Sequence, residues 1–480
     1  MQTFLWHDYE TFGADPRRDR PAQFGAIRTT MELEVVGDPV VVFCRPARDV
    51  LPDPGACLVT GITPQHADAE GVIEAEFSAR VHEALAEPGT CGVGYNTLRF
   101  DDEFTRNLLY RNFYDPYARE WENNNSRWDI IDLARMCYAL RPYGIEWPRR
   151  EDGSPTFRLE DLARANRVMQ LHRAHDALSD VEATLGLARL IRARQPRLWD
   201  WHFAMRRKQR VFELIDVAAM TPLLHVSSRY PSTRGCLAMI APLAWHPSRQ
   251  NGVIAFDLDS DPAPLIELDA DAIADRVFTP RADLPEGIER IPLKVVHTNR
   301  SPALAPLSVL KATDTQRVEL DVDRNLRHLE QLRAASGLEE KVREVYARDK
   351  PRDALSGAPQ DADLALYDGL MSDDDRPLLR SVRQTPPDQL GARPFAFRDA
   401  RCAELLFRYR ARNWPETLNA DESQRWEAER RRRLETATPT TPRTLDEYFA
   451  DIAMLRAEEG TTPAQLALLD QLEHWGRTIL

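Results

Sequence analysis

Lysine is almost missing from this chain. Lys208, Lys294, Lys311, Lys341 and Lys350 are the five lysines, and the remaining 58 of the 63 basic residues are arginines. Guanidinium forks suit phosphate contacts, although genome-wide codon bias produces the same skew. Cysteine is scarce as well: Cys44, Cys57, Cys91, Cys137, Cys236 and Cys402 are scattered, with no CxxC pair and no histidine at zinc-ligand spacing. That excludes a disulfide framework and a structural zinc, and it predicts reduced thiols in a cytoplasmic protein. No run approaches the roughly 18 consecutive apolar residues of a membrane span, so no membrane association is expected. The opening MQTFLWHDYE lacks a basic n-region and a long apolar h-region, which excludes a signal peptide. Internal repeats and low-complexity tracts are missing too.

What is present suffices for several cores. The 480 residues, 43% of them hydrophobic and 8% aromatic, exclude a wholly disordered chain. They predict about two to four domains. A net charge of −13 argues against a general nucleic-acid coat. It does not exclude a nucleic-acid enzyme, where local charge decides.

Residues 3–10, 23–30 and 39–45 read as three strands, with Gly37-Asp38 as a turn, and favour an antiparallel meander. A helix follows over 75–87, then a buried strand over 90–95 and a helix over 101–113. A strand and helix share 128–140, and 176–194 is a long helix. Strands followed by alternating helices predict a mixed sheet covered by helices. From about 218 to 310 short β-prone runs take over, and Asn251-Gly252 predicts a tight hairpin turn. Residues 351–396 read as a linker with an irregular entry. Four helices follow over 398–412, 421–435, 444–458 and 463–478, separated by Pro415, Pro439, Pro442 and Pro463. Arg430 to Arg433 reads as a solvated, glutamate-flanked helix face.

Chemistry concentrates in the first 180 positions. Asp8 and Glu10 form an acid-x-acid pair at a strand end, and alternation places both on one face. Such a pair is a ready oxygen ligand set for Mg²⁺. Asp101 and Asp102 open an amphipathic helix, where first-turn acids also serve the dipole. His175 stands five residues before Asp180 near the start of the long helix, and a histidine beside an acid can act as a general base. Each element alone is ordinary. Their order, DxE, then YNxxxFD, then Hx4D, resembles that of the DEDDh branch of 3′→5′ exonucleases, a resemblance that implies an RNase H-like core.

The resemblance extends over nearly the whole chain. FLWHDYETFG, GYNTLRFDDEFTRN, NSRWDIIDLARMCYALRP, FRLEDL and AHDALSD resemble the exonuclease core of the bacterial exodeoxyribonuclease I family. RQPRLWDW, APLAWHP and LLFRYRARNWPETL resemble its later domains. The resemblance implies an α/β RNase H-like core with a mixed five-stranded sheet over 1–195, an SH3-like β-rich domain over 196–348 and an α-helical C-terminal domain over 351–480. It implies a C-shaped, processive enzyme that degrades single-stranded DNA from the 3′ end and releases 5′-mononucleotides, in DNA repair and recombination. Asp8, Glu10 and Asp180 match metal-ligand positions, Asp101 the fourth acid and His175 the general base. Glu10, Arg106, Tyr117, Trp121, Arg135 and Arg158 match substrate-contact positions. The two rings could stack on unpaired bases; Arg158 could hold a phosphate or simply pair with Glu160 or Asp161.

The implied cofactor is a pair of Mg²⁺ ions, about 3.5–4 Å apart, with Mn²⁺ able to substitute. The family also implies docking of the acidic, hydrophobic C-terminal tail of single-stranded DNA-binding protein, for which Arg141 and Trp201 are candidates. A self-contained chain of this kind leans monomeric. Two other readings stay open: a DEDDh ribonuclease or proofreading exonuclease, and an inactive single-strand-binding scaffold. The length beyond a bare core argues against the first, and the intact acid set against the second.

Overall fold

The computed structural model describes residues 2–168, 176–348, 361–369, 371–438 and 440–480. The chain forms two compact units. The first comprises residues 1–126, 170–185 and 359–480, and the second residues 127–169 and 186–358.

Strands β1 (Thr3–Thr11), β2 (Pro21–Thr29), β3 (Val40–Phe43), β4 (Thr90–Gly94) and β5 (Ser126–Asp129) make a five-stranded sheet in the order β3-β2-β1-β4-β5. The expected meander is there: β1 pairs antiparallel with β2, and β2 antiparallel with β3. β4 adds parallel to β1 after the Glu74–Ala86 helix, so the sheet is mixed. β1 is central and buried on both faces, as its apolar run TFLW requires. Leu5 and Tyr9 pack with Phe24, Ala26, Phe77, Val81 and Leu85 on the side of that helix. Alternation turns Asp8 and Glu10 to the other side.

The C-terminal part of the first unit is helical, with Arg401–Asn413, Ala420–Glu435, Leu445–Ala457 and Pro463–Thr478 close to the expected spans. Asn419 with Glu422, Thr444 with Glu447 and Thr462 with Gln465 form reciprocal capping boxes at three of these starts. Pro463 therefore stands as the first residue of its helix, where its missing N–H costs nothing. The stretch read as irregular contains a helix, Arg376–Gln384, and a 3₁₀ turn, Ala362–Tyr367.

In the second unit β6 (Leu223–Val226), β7 (Leu237–Trp245), β8 (Gly252–Asp257), β9 (Leu293–His297) and β10 (Ala303–Pro306) form an antiparallel sheet in the order β10-β6-β7-β8-β9. Asn251-Gly252 is not the expected two-residue turn. Six residues link β7 to β8, and His246 Nδ1 accepts from the Ser248 and Arg249 N–H groups. Gly252 merely starts β8. Among the described residues no helix is long and apolar enough to cross a membrane.

Candidate active site

The site is built on the polar end of β1. In the β1–β2 register Asp8 lies opposite Gly25 and Glu10 opposite Gln23. Directly opposed residues share a face, so Gly25 and Gln23 border the two acids. The Ala177–Arg194 helix begins against this border. A Cβ on Gly25 would come within 2.7 Å of the backbone of Ala177 and Leu178. Glycine at this position lets the helix start reach the sheet, and one turn in, that helix carries Asp180.

One carboxylate oxygen each from Asp8, Glu10 and Asp180 lies within 4.8 Å of the other two. Asp101 joins them from the helix Asp101–Arg111. The β1–β4 pairing ends at Trp6 and Val93, and farther along β1 the Tyr9 N–H donates to Asp101 Oδ1 at 3.2 Å. Asp101 is thus anchored to the strand rather than capping its own helix. Asp102, its neighbour, pairs with Arg119 at 2.5 Å, with both side chains buried.

The electrostatics mark a site of crowded negative charge. Burial, then the nearby carboxylates of Asp180 and Asp101, push Glu10 up to about 8. Burial, Asp101, Asp180 and Glu10 together raise Asp8 well above the usual carboxylate range. Anions crowded this way are relieved by a cation between them, and an all-oxygen donor set suits a hard divalent ion. The residues present fit such a metal. His7, beside Asp8 in sequence, lies on the opposite face, and burial lowers it to about 4.

His175 lies outside the described residues. Asp176, which the sequence reading passed over, sits close enough to Glu10 for their charges to repel. It accepts a 2.8 Å hydrogen bond from Gln23 Nε2. Its only sequence signal was adjacency to His175. Arg106 is buried in the first unit: its guanidinium donates to both oxygens of Glu120 at 2.7 and 2.9 Å and to Glu103 at 2.7 Å. It also lies 5.2 Å from the centre of the Tyr117 ring. Trp121 is exposed, with 61% of its surface open.

The remaining candidates belong to the second unit. Arg135 donates to Asp132 at 2.7 Å and lies near the Phe157 ring. Arg158 is open to solvent, with Glu160 as a 3.7 Å partner. Arg141 donates to Val309 O and Thr313 Oγ1, and the Trp201 indole to Leu304 O.

Known proteins match this chain along its full length. Residues 5–188 match the family described as Exonuclease, 206–348 the Exonuclease I SH3-like domain and 360–479 the Exonuclease I C-terminal domain. Exodeoxyribonuclease I of Escherichia coli (strain K12) is 46% identical over 481 residues, covering 100% of this chain and 98% of the relative. The chain belongs to the exonuclease I family. Its structure is similar to that of exonuclease I from Methylocaldum szegediense, with a TM-score of 0.95, 51% identity and full coverage of both chains. Exonuclease I of E. coli in complex with a dA16 oligonucleotide gives a TM-score of 0.93 at 46% identity, again over both whole chains. As a member of this family the protein is an exonuclease, a hydrolase of phosphodiester bonds, with the RNase H-like core, SH3-like domain and helical C-terminal domain expected from its sequence.

Proposed function

We propose that the protein is a processive 3′→5′ exonuclease of single-stranded DNA that releases 5′-mononucleotides in DNA repair and recombination. The observation that carries the reading is the convergence of the Asp8, Glu10 and Asp180 oxygens, with Asp101 beside them, in a partly buried site of excess negative charge. DNA as substrate is supported by E. coli exonuclease I, which has been solved with dA16 and, in a zinc-bound form, with single-stranded DNA. A further solved structure is described as SSB/exonuclease I with an inhibitor, which supports the tail of single-stranded DNA-binding protein as a partner.

In this reading Asp8, Glu10 and Asp180 would hold two Mg²⁺ ions, which Mn²⁺ could replace, and bound there they would lower the pKa of the attacking water and stabilise charge on the leaving 3′-oxygen. Asp101 completes the acid set, and the Tyr9 N–H it accepts fixes it to the β1 backbone. His175 takes the proton from the attacking water, so activity falls as His175 protonates. Trp121 and Tyr117 stack on bases, while Arg135 and Arg158 hold phosphates. Arg106 is proposed as a further DNA contact. Arg141 and Trp201 receive the partner tail. The chain works as a cytoplasmic monomer, with domains over 1–195, 196–348 and 351–480.

Digestion of 5′-labelled and 3′-labelled oligonucleotides with Mg²⁺, and again with EDTA, tests this. The expected result is immediate release of the 3′ label as a mononucleotide, retention of the 5′ label until each strand is nearly consumed, with few intermediates, and complete loss of activity in EDTA. Equal cutting of RNA would overturn the substrate assignment in favour of a ribonuclease.

A further inference from the structure

Gln23 has no part in the reading above, yet it spans from the metal-bearing sheet to the helix that carries Asp180. Its side chain is buried at 4% exposure, on β2 directly across from Glu10. Its amide uses both ends. Nε2 donates to Asp176 Oδ1 at 2.8 Å, and Oε1 accepts from the Ala177 N–H at 3.0 Å. The Asp176 carbonyl in turn accepts the Asp180 N–H at 3.2 Å. Three hydrogen bonds therefore run from the strand opposite Glu10 to the backbone of Asp180. The Ala177 N–H is one of the orphan donors of a helix start, which is normally served by a local cap. Here a residue 154 positions away serves it. A local cap would stabilise the helix equally well, but it could not register the helix against β1.

We propose that Gln23 is a positioning residue for the metal site, setting the Asp180 carboxylate at its distance from Asp8 and Glu10. The inference rests on the metal-site reading of the preceding subsection. It concerns placement of the site, which a cap alone does not provide. Outer partners of metal ligands tune affinity in this way, and their removal typically costs about 10–100-fold.

The test is Mn²⁺ binding to the full-length, DNA-free protein, read by electron paramagnetic resonance, alongside the Mn²⁺ dependence of oligonucleotide hydrolysis. Gln23→Leu should weaken Mn²⁺ binding about tenfold or more, and saturating Mn²⁺ should restore much of its turnover. Asp176→Ala, which breaks only the bond from Gln23 Nε2, should weaken binding in the same direction but less, and the double variant should be little worse than Gln23→Leu alone, because the two changes share that bond. Asp176→Asn, which keeps an acceptor for the Gln23 amide, should stay within about threefold of wild type. Should Gln23→Leu fail to fold, the half-buried Asp176 pair reads the same link. Asp180→Asn separates the two ideas. If it loses Mn²⁺ while Gln23→Leu and Asp176→Ala bind normally, the positioning role is wrong and the metal site stands. If Asp180→Asn binds Mn²⁺ like wild type, the metal site is wrong and the positioning role falls with it.

Discussion

Asp8 and Glu10 stand two residues apart on one strand, so both carboxylates face the same way, and Asp180 and Asp101 reach them from two helices. Removing one acid should remove the chemistry but leave most of the DNA-contacting surface. Asp8→Ala is expected to lower single-strand hydrolysis by roughly 10²–10³-fold or more, as loss of one preorganised charge contact does. Fluorescence anisotropy with a labelled oligonucleotide should show binding largely retained; unchanged hydrolysis would refute the assignment. The crowding also sets a pH dependence. Glu10 ionises near 8 in the folded protein and near 4.5 when free. Between those values the folded state holds a proton that the unfolded chain has lost, so this contribution to stability falls as pH rises. A divalent ion binds the ionised form and reverses the loss. The rise in melting temperature on adding Mg²⁺ should therefore be larger at pH 8.5 than at pH 6.5, which differential scanning fluorimetry can measure. These acids were legible in the sequence because their order and spacing are distinctive. Gln23 and Asp176 were not: their roles depend on which residue of β2 lies opposite Glu10, and a single sequence does not state strand register.

At the scale of elements, strands and long helices were readable where hydrophobic period and turn signals agreed. β1, β2, β4 and the helices 101–111 and 177–194 all fall near their expected places. The misses have physical causes. Asn251-Gly252 has the composition of a tight turn, but the His246 imidazole organises a longer loop by accepting two backbone N–H groups. The Arg376–Gln384 helix is short and lies in a stretch rich in proline, glycine and aspartate, which masked its apolar face. The Arg430–Arg433 run is not simply a solvated face. Arg433 is buried and reaches Asp361 and Asp363, whereas Arg431 pairs with Glu427 at the surface. Close packing between elements supplies a sharper test at Gly25. A methyl group there meets the Ala177–Leu178 backbone, which cannot rotate away as a side chain could. Gly25→Ala should cost about 1–3 kcal/mol in stability. It should also reduce hydrolysis more than Gly153→Ala, at a left-handed turn where an added Cβ meets nothing. Urea unfolding and initial rates check both parts.

For the molecule as a whole, the C-terminal segment and the sheet of the first unit are tied together by buried charge. Arg412 donates to Asp49 at 2.7 Å and to Asp363 at 2.5 Å. Arg408 and Arg433 share Asp363, and Arg20 pairs with both Glu74 and Asp363. Burial by itself would raise the carboxyl of Asp49, but Arg412 and Arg433 overcome it and hold that group well below the usual range. Asp363 behaves alike, with Arg412 and Arg408 as its main partners. No sequence pattern revealed this network, because it joins residues between positions 20 and 74 to residues between 363 and 433, and charged residues read as surface. Breaking such a pair is costly because the surviving charge stays buried, at roughly 3–5 kcal/mol. Arg412→Leu should therefore lower the urea midpoint sharply and expose the C-terminal helices to limited proteolysis. Adding Asp49→Asn to Arg412→Leu should recover part of the loss, since it removes one of the stranded charges. The same pairs should make the protein acid-sensitive. Both aspartates are ionised in the folded state at pH values where the unfolded chain takes up protons, near 3.8 and below. Their contribution is present above that value and is lost as pH falls further. Wild type should thus lose stability steeply below about pH 4, and the Arg412→Leu/Asp49→Asn variant should show a shallower acid transition. Equal acid slopes for the two proteins, followed by circular dichroism, would show that the network does not govern the stability of this unit.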